Sequence, residues 1–400
     1  MNLLYHKSGR RLIAFGFYFA EGAPIGFIWW ALPTLLRQKG VEISTITSLT
    51  ALFTLPWVFK FLWAPLIDVF RSSRFGYTKI IAWSQLLMCL TLLPLLFIPM
   101  EGNLMWWGIL LFSHSLCAAT QDVTVDALVI NVVAKQEKGM LNGFMQAGML
   151  AGRSLFGGAA LIFIPIIGLT STVAVMTASI LGIMLLLLFI EEPAAVSGEK
   201  TQLKNFNKNL IETFQEKQTW YTIFFALTAA AAFEAAGGMS GAFLIDKKMD
   251  MESIGFFFAV PVIGAMILGG FVGGFLSDIM SRKKSIIFFL IGFVFLIALV
   301  SVNNSINPHA PHFMWIALFT GMYFFTGMFT SSSYALFMDV TNPKLAATEF
   351  STFMAATNGC ESWAVWSAGI LAASQGYSVA FLAMCLVSLL SLFFLREIKN

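Results

Sequence analysis

Two acidic residues, Asp122 and Asp126, lie in a stretch that carries no other charge, AATQDVTVDALVIN. Residues four apart share one face of an α-helix, so the two carboxylates are predicted to be neighbours. An ionised carboxylate at bilayer depth is costly unless it meets water, a cation or a proton. The spacing therefore favours a site that binds a proton or a charged group, in a chain that spans a membrane.

The composition is that of a membrane protein. Of 400 residues, 58% are hydrophobic and 11% are charged, and the mean hydropathy is +0.80. A soluble domain carries about 25% charged residues, so soluble enzymes are excluded. The four cysteines lie in apolar runs without zinc-ligand spacing, and neither a disulfide nor a metal site is predicted. The net charge of +3 gives no indication of a nucleic-acid partner.

Segments of roughly 20 apolar residues predict twelve membrane-spanning helices. Their approximate limits are 11–36, 45–67, 79–99, 104–131, 139–164, 168–190, 219–245, 253–277, 284–302, 313–340, 345–373 and 377–395. The first segment lacks a cleavage pattern and is expected to remain as a span. A polar stretch separates the spans six and six, which predicts an N-terminal half (1–190), a cytoplasmic linker (191–218) and a C-terminal half (219–400). The expected fold is all-α and polytopic, with two six-helix halves.

The positive charges predict the orientation. If both termini are cytoplasmic, eighteen of the 24 lysines and arginines fall in cytoplasmic segments, four in outer loops and two within spans. Cytoplasmic segments of membrane proteins are enriched in these residues. We therefore expect both termini in the cytoplasm and the chain in the inner membrane.

The two halves repeat one another weakly. Three pairs of acidic residues recur at offsets of 210 to 213, namely Asp68 with Asp278, Glu21 with Glu234, and Asp126 with Asp339. Chance similarity explains shared apolar residues but not acids in register, so a parallel duplication is predicted.

Charged side chains inside the spans are unevenly distributed. Spans 3, 6, 9 and 12 have none in their interiors, and because charge facing lipid is costly, these four are expected on the lipid side. The others are expected to line a cavity and to carry the substrate-binding or proton-coupling residues. These candidates are Glu21, Lys60, Asp122, Arg153, Glu234 and Glu361.

Two loops carry a family signature. In the first, Asp68 is followed by Arg71 and Arg74; in the second, Asp278 is followed by Arg282 and two lysines. Both resemble the cytoplasmic 2–3 and 8–9 loops of the major facilitator superfamily. The first copy departs from the pattern, with proline at position 65 in place of the usual glycine.

Three segments in the first 130 residues resemble one branch of that superfamily, the peptide/acetyl-CoA/drug transporters. They are LPWVFKFLWAPLID (55–68), ATQDVTVDA (119–127) and FAEGAPIGF (19–27). The branch includes bacterial muropeptide permeases, an endomembrane acetyl-CoA transporter and siderophore permeases. The resemblance implies import of a bulky polar solute by alternating access. The best-known muropeptide permeases look longer by two spans and the siderophore permeases are compact, which slightly favours a siderophore.

Two groups of charged residues are predicted to have different roles. Asp122 is the first candidate for proton coupling, the alternative being a structural pair with a cation of a neighbouring span. Lys60 and Arg153 either pair with an acid or bind an anionic group of the cargo. Salt bridges that form and break are predicted to gate the cytoplasmic end. The gate residues are Asp68, Arg71, Arg74, Asp126, Asp278, Arg282 and Asp339. Pro24, after Glu21, is expected to interrupt the first span.

The sequence contains no Walker loop, nucleophile elbow or HExxH motif, so we predict transport driven by a gradient rather than an enzyme. The acids favour protons, with sodium as the alternative. The partners expected are a small-molecule substrate and the lipid bilayer; no cofactor is predicted, and the chain is expected to be a monomer. A drug or metabolite exporter of the same fold remains an alternative. An intramembrane enzyme with an aspartate dyad is disfavoured because Asp122 and Asp126 share one helix.

Overall fold

The structure is a computed structural model that describes residues 2–70, 76–132, 135–192, 214–341 and 346–398. Two predicted gate residues, Arg71 and Arg74, lie outside the described residues, as does the side chain of Asp68.

The described chain forms twelve long helical segments, each matching one predicted span to within four residues at either end. They are α1 (Lys7–Gln38), α2 (Ile43–Phe70), α3 (Tyr77–Leu96), α4 (Leu104–Val132), α5 (135–167), α6 (Leu169–Phe189), α7 (Lys217–Asp246), α8 (Met251–Ile279), α9 (Arg282–Ile306), α10 (His312–Val340), α11 (Ala346–Gln375) and α12 (Tyr377–Glu397). The predicted all-α polytopic fold class is confirmed.

Ten of these segments are both long and apolar enough to cross a membrane by length and composition. The other two, α4 and α11, have 29 and 30 residues and are long enough. They fall short in composition because they carry polar and charged side chains, among them Asp122 and Asp126 in α4 and Glu361 in α11. The two least apolar helices are thus ones that hold candidate functional residues.

Glycines bring the backbones of α1 and α5 into contact. A side chain at Gly148 of α5 would overlap the carbonyl oxygen of Phe15, and one at Gly22 of α1 would overlap that of Met149. Close backbone approach of this kind needs small residues at the helix interface. The side chains that flank these glycines are therefore held at a fixed register between the two helices.

Each of these two helices contains one π-helical turn. In α1 the turn is Phe27–Ala31, and in α5 it is Ser154–Ala159. The expectation that Pro24 interrupts the first span is wrong, because the α-helix runs from Lys7 to Gly26 and continues directly into the π-helical turn. Packed neighbours and local changes of helix type allow a membrane helix to tolerate a missing backbone donor.

The seventh span is interrupted at residues 229–230, between two α-helices. The carbonyl of Leu227 accepts a hydrogen bond from the indole Nε1 of Trp363, at 2.8 Å. The amide of Ala232 donates to the hydroxyl of Ser388, at 2.9 Å. Backbone groups freed at bilayer depth need such partners, since lipid offers none. Side chains of α11 and α12 therefore stabilise the interruption in α7.

The four helices whose interiors carry no charged residue, α3, α6, α9 and α12, expose large apolar side chains. Along α9, Ile291, Phe295 and Leu299 are 48%, 60% and 37% exposed. Their four-residue spacing places them on one face. Such a face is suited to contact with lipid tails.

The chain forms two compact units. The first contains the described residues of Met1–Ala31 and Phe59–Asn205, and the second those of Leu32–Val58 and Phe206–Asn400. The chain passes from the first unit to the second within α1 and returns within α2. The division of the chain into two six-helix halves at the polar stretch 191–218 remains a prediction.

Gly148 and Gly143 lie on the same α-helix of α5 and provide a matched test of the packing. At Gly143 an added methyl group meets nothing within 4 Å, whereas at Gly148 it overlaps backbone. Alanine is a better helix former than glycine by about 1 kcal/mol. We therefore expect Gly148→Ala to lower the melting temperature in detergent and Gly143→Ala to leave it unchanged or raise it. Equal shifts for both variants would contradict the close approach of α1 and α5.

Candidate functional site

Four side chains in the first unit form what we call the carboxylate cluster: Tyr18 of α1, Lys60 of α2, and Asp122 and Asp126 of α4. The Lys60 ammonium makes a short hydrogen-bonded ion pair with Asp122 Oδ2. The Tyr18 hydroxyl lies 2.6 Å from Asp126 Oδ1 and 3.2 Å from Asp122 Oδ1. The predicted neighbours on α4 therefore meet at one phenol, and three helices supply the cluster.

The carboxylate cluster lies in a closely packed part of the unit. Asp122 is only 6% exposed, and the side chain of Lys60 is 22% exposed. Beside them, the amide of Gln121 donates to the carbonyl of Phe17, at 2.9 Å, and joins α4 to α1. Low exposure strengthens electrostatic interactions, because little water screens them.

Glu21 lies next to the carboxylate cluster. It is 1% exposed and follows Tyr18 by three residues, on the same face of α1. It interacts electrostatically with both Tyr18 and Lys60. The structure thus brings three of the predicted residues, Glu21, Lys60 and Asp122, into one region.

Two features of the carboxylate cluster differ from what the sequence suggested. Asp126, which the sequence assigned to the gate, shares Tyr18 with Asp122 in the carboxylate cluster, while its predicted gating role with Asp68 falls outside what the structure describes. Tyr18 was missed because it carries no charge at neutral pH. Its position one turn before Glu21 was the signal that could have identified it.

Arg153 lies between the α-helical and π-helical parts of α5. Its guanidinium carbon is 4.9 Å from the centre of the Trp29 ring, a cation–π contact with the π-helical turn of α1. Both side chains are partly exposed. The structure therefore places this predicted residue against an aromatic ring, at a different level of α1 from the carboxylate cluster.

Glu234 and Glu361 lie in the second unit. Both are partly exposed, and both interact electrostatically with the thiol of Cys360. Glu234 is in the first turn of the α-helix that follows the interruption in α7. The structure thus brings these two predicted carboxylates to the same part of α7 and α11.

The predicted gate residues of the second half lie together at the ends of α8, α9 and α10. Arg282 forms an ion pair with Asp339, and its Nη1 is 3.5 Å from Asp278 Oδ1. These three residues line a cavity of about 430 Å³. Their proximity is consistent with salt bridges that hold the ends of these helices together, and the gating role itself remains a prediction.

A group that was not expected from the sequence joins α1 to α7 and α12 within the second unit. It consists of Arg37, Asp246 and Tyr377. Arg37 donates from Nε and Nη2 to both carboxylate oxygens of Asp246, at 2.8–3.0 Å. The Tyr377 hydroxyl donates to the same carboxylate at 2.8 Å. By sequence Arg37 counted only as a cation of an outer loop. Its bidentate pairing depends on contacts between distant segments, which spacing along the chain does not reveal.

In the described ranges, no group of three or more His, Cys, Asp or Glu side chains is arranged to hold a metal ion. The arrangement is suited instead to reversible proton binding and to ion pairs that exchange partners.

Comparison with known proteins assigns the family. The sequence model of the Major Facilitator Superfamily matches residues 12–269 and 244–399, almost the whole chain. The chain belongs to the Major Facilitator Superfamily. It is therefore a multi-pass membrane transporter, and the family expected from the loop signature is confirmed.

Curated relatives agree with the branch expected from the first 130 residues. The anhydromuropeptide permease of Escherichia coli (strain K12) is 24% identical over 376 residues, which cover 91% of this chain and 74% of the permease. AmpG 4 of Rickettsia conorii (strain ATCC VR-613 / Malish 7) is 24% identical over 404 residues, covering 95% of this chain and 94% of that protein.

Solved structures of this superfamily share the fold. The nucleoside transporter NupG superposes with a TM-score of 0.75 at 11% identity, covering 98% of this chain and 100% of NupG. A D-xylose–proton symporter gives a TM-score of 0.76 at 11% identity, covering 98% of this chain and 97% of the symporter. At this identity the likeness concerns the fold alone.

The ion pair of Arg37 and Asp246 allows a double-mutant cycle. Because the pair is bidentate and partly buried, we expect a coupling energy of about 1 kcal/mol. Arg37→Ala and Asp246→Ala are each expected to lower the melting temperature in detergent, and the double variant by less than the sum of the two. Strict additivity would show that the pair contributes nothing to stability.

Proposed function

We propose that this transporter couples the import of a muropeptide-class solute across the cytoplasmic membrane to the movement of protons. The observation that carries the coupling is the carboxylate cluster, in which two carboxylates share the Tyr18 phenol and one of them pairs with the Lys60 ammonium. Buried charge is costly at bilayer depth, so an unequal number of charges there favours binding of an ion that restores the balance.

The charges of the carboxylate cluster explain why a proton suits it. With all three groups ionised, Asp122 and Asp126 outnumber Lys60, and one proton makes these three groups neutral; Glu21 beside them adds a further acid that favours proton binding. The Tyr18 hydroxyl contacts both carboxylates, so it can donate its hydrogen bond to whichever of the two is ionised. A proton on Asp122 weakens its pair with Lys60, which joins α4 to α2. We infer that this link alternates between paired and unpaired states during transport.

The relatives support the choice of cargo. The name of the Escherichia coli relative says that it carries anhydromuropeptides, and its similarity extends over 91% of this chain. This favours the muropeptide class over the siderophore class, which remains the second candidate. The predicted orientation, with both termini cytoplasmic, and a bacterial inner-membrane location belong to the same proposal. Export of a drug or metabolite is its competing alternative.

Asp122→Asn tests the coupling role. We expect it to abolish uptake driven by a pH gradient in proteoliposomes, because the amide cannot carry the proton. Exchange of labelled for unlabelled cargo without a gradient should persist. Glu252→Gln, an acid-to-amide change at an exposed position of α8, should behave as wild type. Wild-type rates and pH response in Asp122→Asn would show that Asp122 does not couple transport to protons.

A second variant separates coupling from stability. Asp122→Asn removes the hydrogen-bonded partner of Lys60. Breaking a fully buried pair costs about 3–5 kcal/mol, and the loss here should be smaller because the Lys60 side chain is 22% exposed. The double variant Lys60→Gln/Asp122→Asn removes both charges and should recover part of the lost melting temperature. Its gradient-driven uptake should remain absent. Recovery of uptake together with stability would assign the pair a structural role only.

Cargo and direction are tested together. Proteoliposomes with an imposed inward proton gradient should accumulate labelled anhydromuropeptide, and a sodium gradient of the same size should not drive uptake. A labelled ferric siderophore serves as the second substrate. Uptake of the siderophore alone would reassign the cargo. Release of a preloaded drug or metabolite in response to an inward proton gradient would indicate export.

A further inference from the structure

Two π-helical turns meet in the first unit, at a level that the coupling proposal does not use. A side chain at Gly26, just before the turn Phe27–Ala31, would lie 2.6 Å from the Cα of Arg153, just before the turn Ser154–Ala159. A side chain at Gly157 would lie 2.8 Å from the carbonyl oxygen of Gly26. The two turns are thus in direct backbone contact. π-Helical turns are rare in proteins, and those that occur often lie at functional sites.

Arg153 is the charged side chain placed at this junction. It stands near the middle of the membrane-spanning part of α5, Met140–Ile167. It is partly exposed there, and a guanidinium facing lipid at that depth is too costly. The exposed part of Arg153 must therefore face a space that admits water and polar solutes.

Trp29 holds the guanidinium in a defined orientation. The ring centre lies 4.9 Å from the guanidinium carbon, which places the cation over the indole face. A stacked guanidinium keeps its N–H groups at the edges of its plane, where two of them match the two oxygens of a carboxylate. Orientation before binding reduces the entropy lost when the ligand arrives.

We propose that Arg153, stacked on Trp29 at the junction of the two π-helical turns, binds a carboxylate of the transported molecule. Trp29 acts as the positioning residue. This inference rests on the proposed transport function and adds to it the chemical group that the site recognises. Muropeptides carry free carboxylates on their peptide part, so the assignment is compatible with the proposed cargo.

Position separates this contact from the carboxylate cluster. Trp29 follows Tyr18 by eleven residues in α1, which corresponds to about 16 Å along a helix axis. A change at Arg153 is therefore expected to affect recognition of the cargo and to leave the response to protons in place.

Equilibrium binding to the purified protein tests the proposal with two probes. One is an anhydromuramyl peptide, and the other is the same compound with its carboxylates converted to carboxamides. Hydrogen bonds to charged groups contribute about 1.5–3 kcal/mol, so the acid should bind wild type roughly 10- to 100-fold more tightly than the amide. Arg153→Gln should remove this difference by weakening the acid alone. Arg153→Lys should restore part of the preference for the acid, because lysine is positively charged but lacks the planar guanidinium with its paired N–H donors.

The chain offers a matched control on the same two helices. Arg11 of α1 makes a cation–π contact with Phe144 of α5, at 5.5 Å, near the helix ends. Arg11→Gln removes the same charge and the same kind of contact, and it should preserve the preference for the acid. Trp29→Leu should reduce the preference and Trp29→Phe should retain most of it. A purely structural role for Arg153 would weaken acid and amide equally.

The outcomes distinguish this inference from the proposed function. Equal binding of acid and amide by wild type, or an intact preference in Arg153→Gln, overturns the role of Arg153 even when proton-driven uptake is present. Binding of neither probe overturns the role of Arg153 and the muropeptide cargo together. Gradient-driven uptake of another solute would then still support the coupling proposal.

Discussion

The structure depends on one constraint: the apolar layer of a bilayer offers no partner to a charge or to an open backbone group. The ammonium of Lys60 and the carboxylate of Asp122 satisfy one another across two helices. The interruption in α7 meets the same requirement with uncharged groups, through the indole of Trp363 and the hydroxyl of Ser388. These two polar elements inside the spans thus fix contacts between helices that are distant in sequence.

The same constraint explains how binding can change the structure. Where partners are obligatory, a proton that removes one charge also removes the reason for a contact, and the helices that it joined are released. Lys60 and Tyr18 link α2 and α1 to the carboxylates of α4, so in the proposed mechanism a single proton would act on three helices at once. Helix α1 contributes Tyr18 to the carboxylate cluster and Trp29 to the contact with Arg153, so it connects the two regions.

The sequence predicted the spans well because hydrophobic length is a local property that the bilayer thickness determines. It identified Asp122, Lys60 and Arg153 for a similar reason, since charge in an apolar run is conspicuous by itself. It could not pair Lys60 with Asp122, which lie 62 residues apart. Pairing depends on the rotation of each helix about its axis, and no spacing within one helix determines that rotation.

Sequence reasoning missed Tyr18, which carries no charge, and the pairing of Arg37 with Asp246 near helix ends. Tyr18 is one of seven tyrosines in an aromatic-rich chain, and its position one turn before Glu21 does not by itself show that it contacts both carboxylates. Arg37 resembled an ordinary loop cation until its helix was seen to extend to Gln38. The π-helical turns of α1 and α5 follow no recognisable sequence pattern.

Those turns have a consequence for how the transporter can evolve. A π-helical turn accommodates an additional residue relative to the regular helix, so the two parts of α5 on either side of Ser154–Ala159 do not share one rotational register. Loss of one residue there would shorten the span by only about 1.5 Å but rotate one part against the other by roughly 100°. Such a deletion would rotate the part of α5 that follows the turn against the part that carries Arg153 and packs on α1 through Gly148, while leaving hydrophobic length nearly unchanged. Insertions and deletions in this turn are therefore a route by which related chains could change what they recognise without losing their place in the membrane.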